Sequence, residues 1–241
     1  ICYSFMSPRV PIVKEDIYKL KTRIPASRMT LIAGGPHASA IPHQTLNMGF
    51  DVVVVGEGEQ VFPELTYRLL HGSSLDALPS IAYLSATGTP IVTAPAPPVD
   101  LNTFPPFAVQ HRFFSPIEVS RGCPWGCNYC QTPALFGRTM RHRSLDCILT
   151  YARLAVKHGF RNAWFTSPNA FAYGSPTGRL PHMPKLRQLL HALHTLPLKI
   201  FYGTFPSEIR PDFVTLELLE LLQRYTHNTS LAIGAQSGSD R

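Results

Sequence analysis

Three cysteines stand close together in the run Ile117-Glu118-Val119-Ser120-Arg121-Gly122-Cys123-Pro124-Trp125-Gly126-Cys127-Asn128-Tyr129-Cys130, which opens from an apolar strand pattern. Thiolates are soft ligands that select zinc, copper(I) or iron-sulfur clusters. A loop this short can place three sulfurs around one cubane cluster and supply no fourth, which leaves one iron open for chemistry. A structural zinc site wants four closed ligands, and the next sulfur, Cys147, lies well downstream in a predicted helix. A ferredoxin-type run would go on to a fourth cysteine followed by proline, whereas Gln131-Thr132-Pro133-Ala134 follows here. Inert core thiols are the third reading, and the loop formers Gly122, Pro124, Gly126 and Asn128 count against it. The spacing favours an open-site iron-sulfur cluster, with zinc and metal-free thiols as the alternatives.

Elements must present this loop. From Ile117 onward the pattern is strand, then helix: Ile117–Val119, a helix from Leu145 capped by Ser144 and ended by Gly159, then Asn162–Phe165, Pro184–Leu196, Leu198–Tyr202, Asp212–Tyr225 and a last strand at Ser230–Ile233. Leu145, Leu149, Ala152 and Val156 share one helix face, as do Val214, Leu218, Leu221 and Leu222. Repeated βα units predict a partial (β/α) barrel over residues 117–241, with its chemistry on loops at the carboxyl ends of the strands. Residues 1–72 alternate in the same way: strands at Ile1–Phe5, Thr30–Ala33 and Val52–Val55, helices carrying Val13/Ile17/Leu20 and Val61/Leu65/Leu69, and a short one over Ile41–Met48. The β-branched run Val52-Val53-Val54-Val55 suits a strand covered on both faces, so a partial doubly wound parallel sheet is expected. Residues 73–116 read as a hairpin (Ile81–Leu84, Ile91–Thr93) and a linker rich in proline, with a domain boundary near residue 105.

The cysteine run resembles the radical S-adenosylmethionine (SAM) superfamily, whose signature is CxxxCxΦC with an aromatic Φ, a place that Tyr129 fills. The resemblance implies that Cys123, Cys127 and Cys130 hold a 4Fe-4S cluster and that Tyr129 lies in the cofactor-binding loop. It implies that the open iron chelates the amino and carboxylate groups of SAM, and that one electron cleaves the sulfonium to a 5'-deoxyadenosyl radical. Gly234-Ala235-Gln236-Ser237-Gly238 is similar to the family's GxQSG segment, which makes Gln236 and Ser237 candidates for cofactor contact, or else residues that hydrogen-bond their own turn. Thr166-Ser167-Pro168-Asn169 and Thr204-Phe205-Pro206-Ser207-Glu208 end the two preceding strands, and Glu208 either meets the cofactor or pairs with Arg210.

Leu31-Ile32-Ala33-Gly34-Gly35-Pro36-His37 and Asp51-Val52-Val53-Val54-Val55-Gly56-Glu57-Gly58-Glu59 resemble the Rossmann-like cobalamin-binding domain that precedes many radical SAM enzymes. By that resemblance Ser4, in Ser4-Phe5-Met6, and the pair Gly34-Gly35 flank the nucleotide tail of cobalamin. Glycine suits such a position because a backbone without Cβ admits a bulky group closely. The DxHxxG segment, whose histidine can ligate cobalt in that family, has no counterpart in this chain and would lie before Ile1; either truncation removed it, or cobalamin is bound without a histidine ligand, or the domain has lost the cofactor and only frames the barrel. His37 reads as a turn residue or hydrogen-bonding loop group, and Glu57 and Glu59 as cap, turn or interface residues.

With 44% apolar and 15% charged residues the chain is globular, and no stretch reaches the ~20 apolar residues of a membrane span. Five cysteines, three of them clustered, with no signal-peptide pattern, point to a reducing, cytoplasmic setting. The net charge is +7, and Arg138, Arg141 and Arg143 with His142 form the densest basic patch, which reads as a solvated surface, with contact to an anionic partner or substrate, or to the domain interface, as the alternatives; no run of like charges marks a nucleic-acid tail. The start at Ile1, inside an apolar run, and the stop at Ser239-Asp240-Arg241 suggest a piece of a longer polypeptide. The expected function is a radical SAM enzyme with cobalamin as second cofactor, transferring a methyl group or guiding a rearrangement. It would use an electron donor such as flavodoxin or ferredoxin and a small-molecule or peptide substrate that the sequence does not specify. The alternatives are a methylthiotransferase acting on tRNA or a ribosomal protein, whose N-terminal domain normally carries three more cysteines, and a non-catalytic cobalamin- or metal-binding module.

Overall fold

The computed structural model describes residues 1–236, in two compact units, Ile1–Val99 and Asp100–Arg241. In the first unit β1 (Cys2–Ser4) leads through α1 (Val10–Arg23) to β2 (Ile32–Gly34). The chain continues through α2 (Gly35–Ala40) and α3 (Pro42–Asn47) to β3 (Val52–Val54), and through α4 (Val61–His71) to β4 (Ile81–Leu84) and β5 (Pro90–Val92). The sheet order is β1-β2-β3-β4-β5, parallel through β3 and antiparallel beyond.

Side chains alternate across this sheet as strand geometry requires. Leu31, Ala33 and Val53 face Val13 and Ile17 of α1, Ala38 and Leu46, while Ile32, Val52 and Val54 face Val61 and Leu65 of α4. Helices therefore cover both faces, which is why β3 is apolar at every position. The hairpin does not stand apart in a linker. Val52, Val53 and Val54 pair with Tyr83, Ala82 and Ile81, so the hairpin completes this sheet, and the carboxylate of Glu57 takes the backbone N–H of Val99 at 2.9 Å.

The second unit runs β6 (Ile117–Glu118), β7 (Ser120–Arg121), α5 (Thr132–Phe136), β8 (Arg141–His142), α6 (Leu145–Lys157), β9 (Asn162–Thr166), α7 (Met183–His194), β10 (Lys199–Phe201) and α8 (Leu216–Tyr225). Strands β6, β9 and β10 form a parallel sheet in the order β10-β9-β6, and β7 pairs antiparallel with β8 as a separate ribbon. Leu186, Leu189, Leu190 and Leu193 of α7 are fully buried against Ile148 and Ala152 of α6, Phe165 of β9 and Ile200 of β10. The strand expected at 230–233 is reduced to a single parallel bridge, Ile209 with Ile233.

Arg143 does not lie in a solvated basic patch. It is 2% exposed, and its guanidinium donates to the carbonyls of Glu118 (2.9 Å), Phe104 (2.8 Å) and Leu101. Proline-rich residues 100–107 are thus pinned to β6 and α6, with the carboxamide oxygen of Asn102 accepting the Ser144 N–H at 2.8 Å and Phe107 buried in the same core.

Candidate active site

The cysteine loop is the connection between β7 and β8. Its base is closed by the ladder pairs Ser120 with His142 and Arg121 with Arg141, and by a 2.8 Å bond from the Ser120 hydroxyl to His142 Nδ1. His142 Nε2–H donates to the Ser175 carbonyl at 3.0 Å, and burial lowers the imidazole pKa, countered in part by that bond. At the mouth of the loop Gly122 has φ +85°, and a Cβ there would run into the Thr139 carbonyl, so only glycine lets the chain turn into the first cysteine. The Cys123 N–H then bonds to Gly137 O (3.1 Å) and the Cys130 N–H to Cys127 O (3.0 Å), fixing both ends of the cysteine run.

Cys123, Cys127 and Cys130 line one cavity of about 320 Å³. Its other walls include Ser167 and Pro168 after β9, Phe205 to Arg210 after β10, and Gly234 and Gln236 beyond the bridge, so the loops at the carboxyl ends of two parallel strands and the segment after the bridge converge on the thiols. Ser207 ties two of those loops together, accepting from the Ser167 N–H at 2.9 Å and donating to the Phe165 carbonyl at 2.6 Å. Tyr129 and Phe205 are 68% and 82% exposed at this cavity. Burial pushes the Cys123 thiol pKa up, countered by a backbone N–H at Trp125, while the Tyr129 hydroxyl is raised by desolvation and by its hydrogen bond with Cys127.

Cys147 is no fourth ligand in this arrangement. Its sulfur lies 3.5 Å from the Arg143 guanidinium and 4.0 Å from Asn102 O, and it is absent from the cavity wall. Among the described residues no three His, Cys, Asp or Glu side chains converge on a single ion. A donor set of three thiols without a fourth fits a cluster with one open metal corner better than a closed zinc site.

Gln236 reaches this cavity and donates from Nε2 to Glu208 Oε2 at 3.2 Å; Ser237 lies outside the described residues. Glu208 does not pair with Arg210. Arg210 forks onto Asp212 through Nε (3.0 Å) and Nη2 (3.1 Å), and its guanidinium lies 3.8 Å from the centroid of the Trp125 ring. Trp125, Arg179 and Asp212 were not legible as site residues from the sequence, although the position of Trp125 between two of the cysteines was the available signal. A larger groove of about 450 Å³ between α7 and α8 holds Arg187 and Glu217 but no thiol.

In the first unit Ser4 and Gly34 are ladder partners at the carboxyl ends of β1 and β2. Gly35 has φ +84°, and a Cβ on it would lie 2.6 Å from the Ser4 hydroxyl and 2.9 Å from the Phe5 nitrogen, whereas a Cβ on Gly34 would meet nothing within 4 Å. The open space at Gly34 fits a tail passing along the strand ends. His37 is not a loop residue. It is buried in α2 with Nδ1 2.9 Å from the Ser7 hydroxyl, its ring 5.2 Å from that of Phe5, and Nε2 buried without a partner.

The Radical SAM superfamily model matches residues 117–241, and the B12 binding domain model matches residues 1–66. The chain belongs to the radical SAM superfamily. Bacteriochlorophyllide d C-12(1)-methyltransferase of Chlorobaculum tepidum is 27% identical over 58% of this chain and 29% of its own length. Hopanoid C-3 methylase of Methylococcus capsulatus is 29% identical over 66% of this chain and 33% of its own. The chain thus spans about a third of these relatives. Among solved structures, the cobalamin-dependent SAM radical enzyme OxsB with aqua-cobalamin bound superposes with a TM-score of 0.74 at 17% identity, over 99% of this chain and 36% of that one. This likeness shows that the α/β architecture of both units is shared. Among the described residues no helix is long and apolar enough to cross a membrane.

Proposed function

We propose that this radical SAM protein is a cobalamin-dependent methyltransferase. The observation that carries the reading is the cavity in which Cys123, Cys127 and Cys130 meet the loops after β9 and β10 with no fourth thiol in its wall. Those three cysteines would hold a 4Fe-4S cluster, Tyr129, Gln236 and Ser237 would contact SAM, and Ser4, Gly34 and Gly35 would border the cobalamin tail. When bound, cluster and SAM supply reductive cleavage of the sulfonium, and cobalamin supplies methyl transfer. The chain's own part is to orient and enclose. The β7–β8 ribbon and the Gly122 turn fix the cysteine loop, and Ser207 locks two walls of the cavity. A low-potential reductant of the flavodoxin or ferredoxin class would provide the electron, and the substrate is a small molecule or peptide. Methylthiotransfer is less well supported, because the first unit matches the B12 binding domain model over residues 1–66.

The test is anaerobic reconstitution of the whole protein with iron and sulfide, with and without Cys127→Ala. The intact protein should bind about four irons, show a cobalamin visible spectrum and consume SAM after reduction. Cys127→Ala should lose the cluster and SAM consumption yet keep the cobalamin spectrum. A cluster-loaded protein that never consumes SAM, whatever substrate is offered, would move the reading to a non-catalytic module.

A further inference from the structure

The cation beside the ligand loop is held in place by its own carboxylate. Trp125 stands between Cys123 and Cys127, and two guanidiniums lie over its ring: Arg210, 3.8 Å from the centroid, and Arg179, at 5.0 Å, which also donates to the Pro124 carbonyl at 3.1 Å. Arg210 comes from the segment after β10 and lines the same cavity as the three thiols. Its bidentate fork onto Asp212 fixes the plane of the guanidinium, and its backbone N–H points to the buried Asn169 carboxamide oxygen at 3.4 Å. A flat guanidinium on an indole is the favoured cation–π arrangement.

We infer that Arg210 and Asp212 form a charge pair that sets the reduction potential of a cluster bound at Cys123, Cys127 and Cys130, Arg210 raising the potential and Asp212 moderating it. The inference rests on the proposed cluster site. Reduction adds one electron to a group already made anionic by three thiolates, so a nearby cation stabilises the reduced form and a nearby carboxylate opposes it. Both residues are positioning and tuning residues. Neither is placed among the sulfur ligands.

The test is an EPR-monitored redox titration of the whole protein after anaerobic reconstitution, with iron and sulfide counted in each sample. Arg210→Gln should shift the midpoint to more negative potential, Asp212→Asn to less negative potential, and the double variant should return towards the wild type. Arg210→Lys, which keeps the charge, should stay nearer the wild type than Arg210→Gln. If Arg210→Gln does not hold a cluster, Asp212→Asn and Arg210→Lys still decide. Equal midpoints in all variants, or shifts of the same sign in Arg210→Gln and Asp212→Asn, would overturn the inference and leave the cluster site standing. A wild-type protein that binds no cluster would overturn both.

Discussion

Adjacent glycines at the end of β2 do different physical work. At Gly35 a side chain would need a left-handed backbone and would press on Ser4 and Phe5, so Gly35→Ala should destabilise the first unit by about 1–3 kcal/mol, seen as a lower midpoint in circular dichroism during urea unfolding. At Gly34 the backbone is extended and the space is open, so Gly34→Ala should leave that midpoint unchanged while lowering cobalamin occupancy in reconstituted protein, read from the visible spectrum. Unchanged occupancy in Gly34→Ala would remove the cofactor tail from this position. Arg143 makes the complementary point about charge. A buried guanidinium that satisfies three backbone carbonyls leaves those acceptors bare when removed, so Arg143→Met should cost about 2–4 kcal/mol in the second unit. Trp125 and Trp164, the two tryptophans of the chain, both lie in that unit, so their fluorescence during denaturation measures it selectively.

At the scale of elements, α6 shows how a local signal can be read without the fold. Ser144 precedes the apolar periodicity of Leu145, Leu149, Ala152 and Val156, and its hydroxyl accepts the Cys147 N–H at 3.2 Å. Ser144→Ala should lower the stability of the second unit by about 1 kcal/mol in the same fluorescence assay, with cysteine loop and cluster content unaffected. Helix α8 begins four residues later than the periodicity suggested. Thr215 provides its cap, accepting from the Leu218 N–H at 3.3 Å, and Pro211–Phe213 form a separate short turn. The last strand failed for a different reason. Hydrophobic pattern alone specifies an extended segment, but a strand needs a continuous hydrogen-bonded partner, and Ile233 finds it only at Ile209.

For the molecule as a whole, pH acts through buried imidazoles. His142 and His37 both have pKa values lowered from the ordinary 6.5, first by burial. In the unfolded chain they protonate near pH 6.5, before the folded protein does, so their contribution to stability is complete above that pH. It is lost as pH falls from there through the lower folded values. Tryptophan-monitored stability of the second unit should therefore drop as pH falls below about 6.5. In His142→Gln, which keeps a donor for the Ser175 carbonyl and does not titrate, the slope should be shallower; an identical slope would exclude His142 as its source.

The alternation of strands and helices on either side of the cysteine loop, the two-sided burial of β3 and the clustering of the three thiols were legible in the amino-acid sequence, because each rests on periodicity or on spacing within one short segment; the β7–β8 ribbon was not. Tertiary structure decided what depends on residues far apart in the chain. It placed the hairpin at 81–92 in the first sheet, turned Arg143 from a surface charge into a buried clasp for residues 101–104, and sent Arg210 to Asp212 and Trp125 instead of Glu208. Pattern records which residues avoid water. Only the folded chain assigns their partners, since a buried polar group takes whichever donor or acceptor the packing brings within about 3 Å.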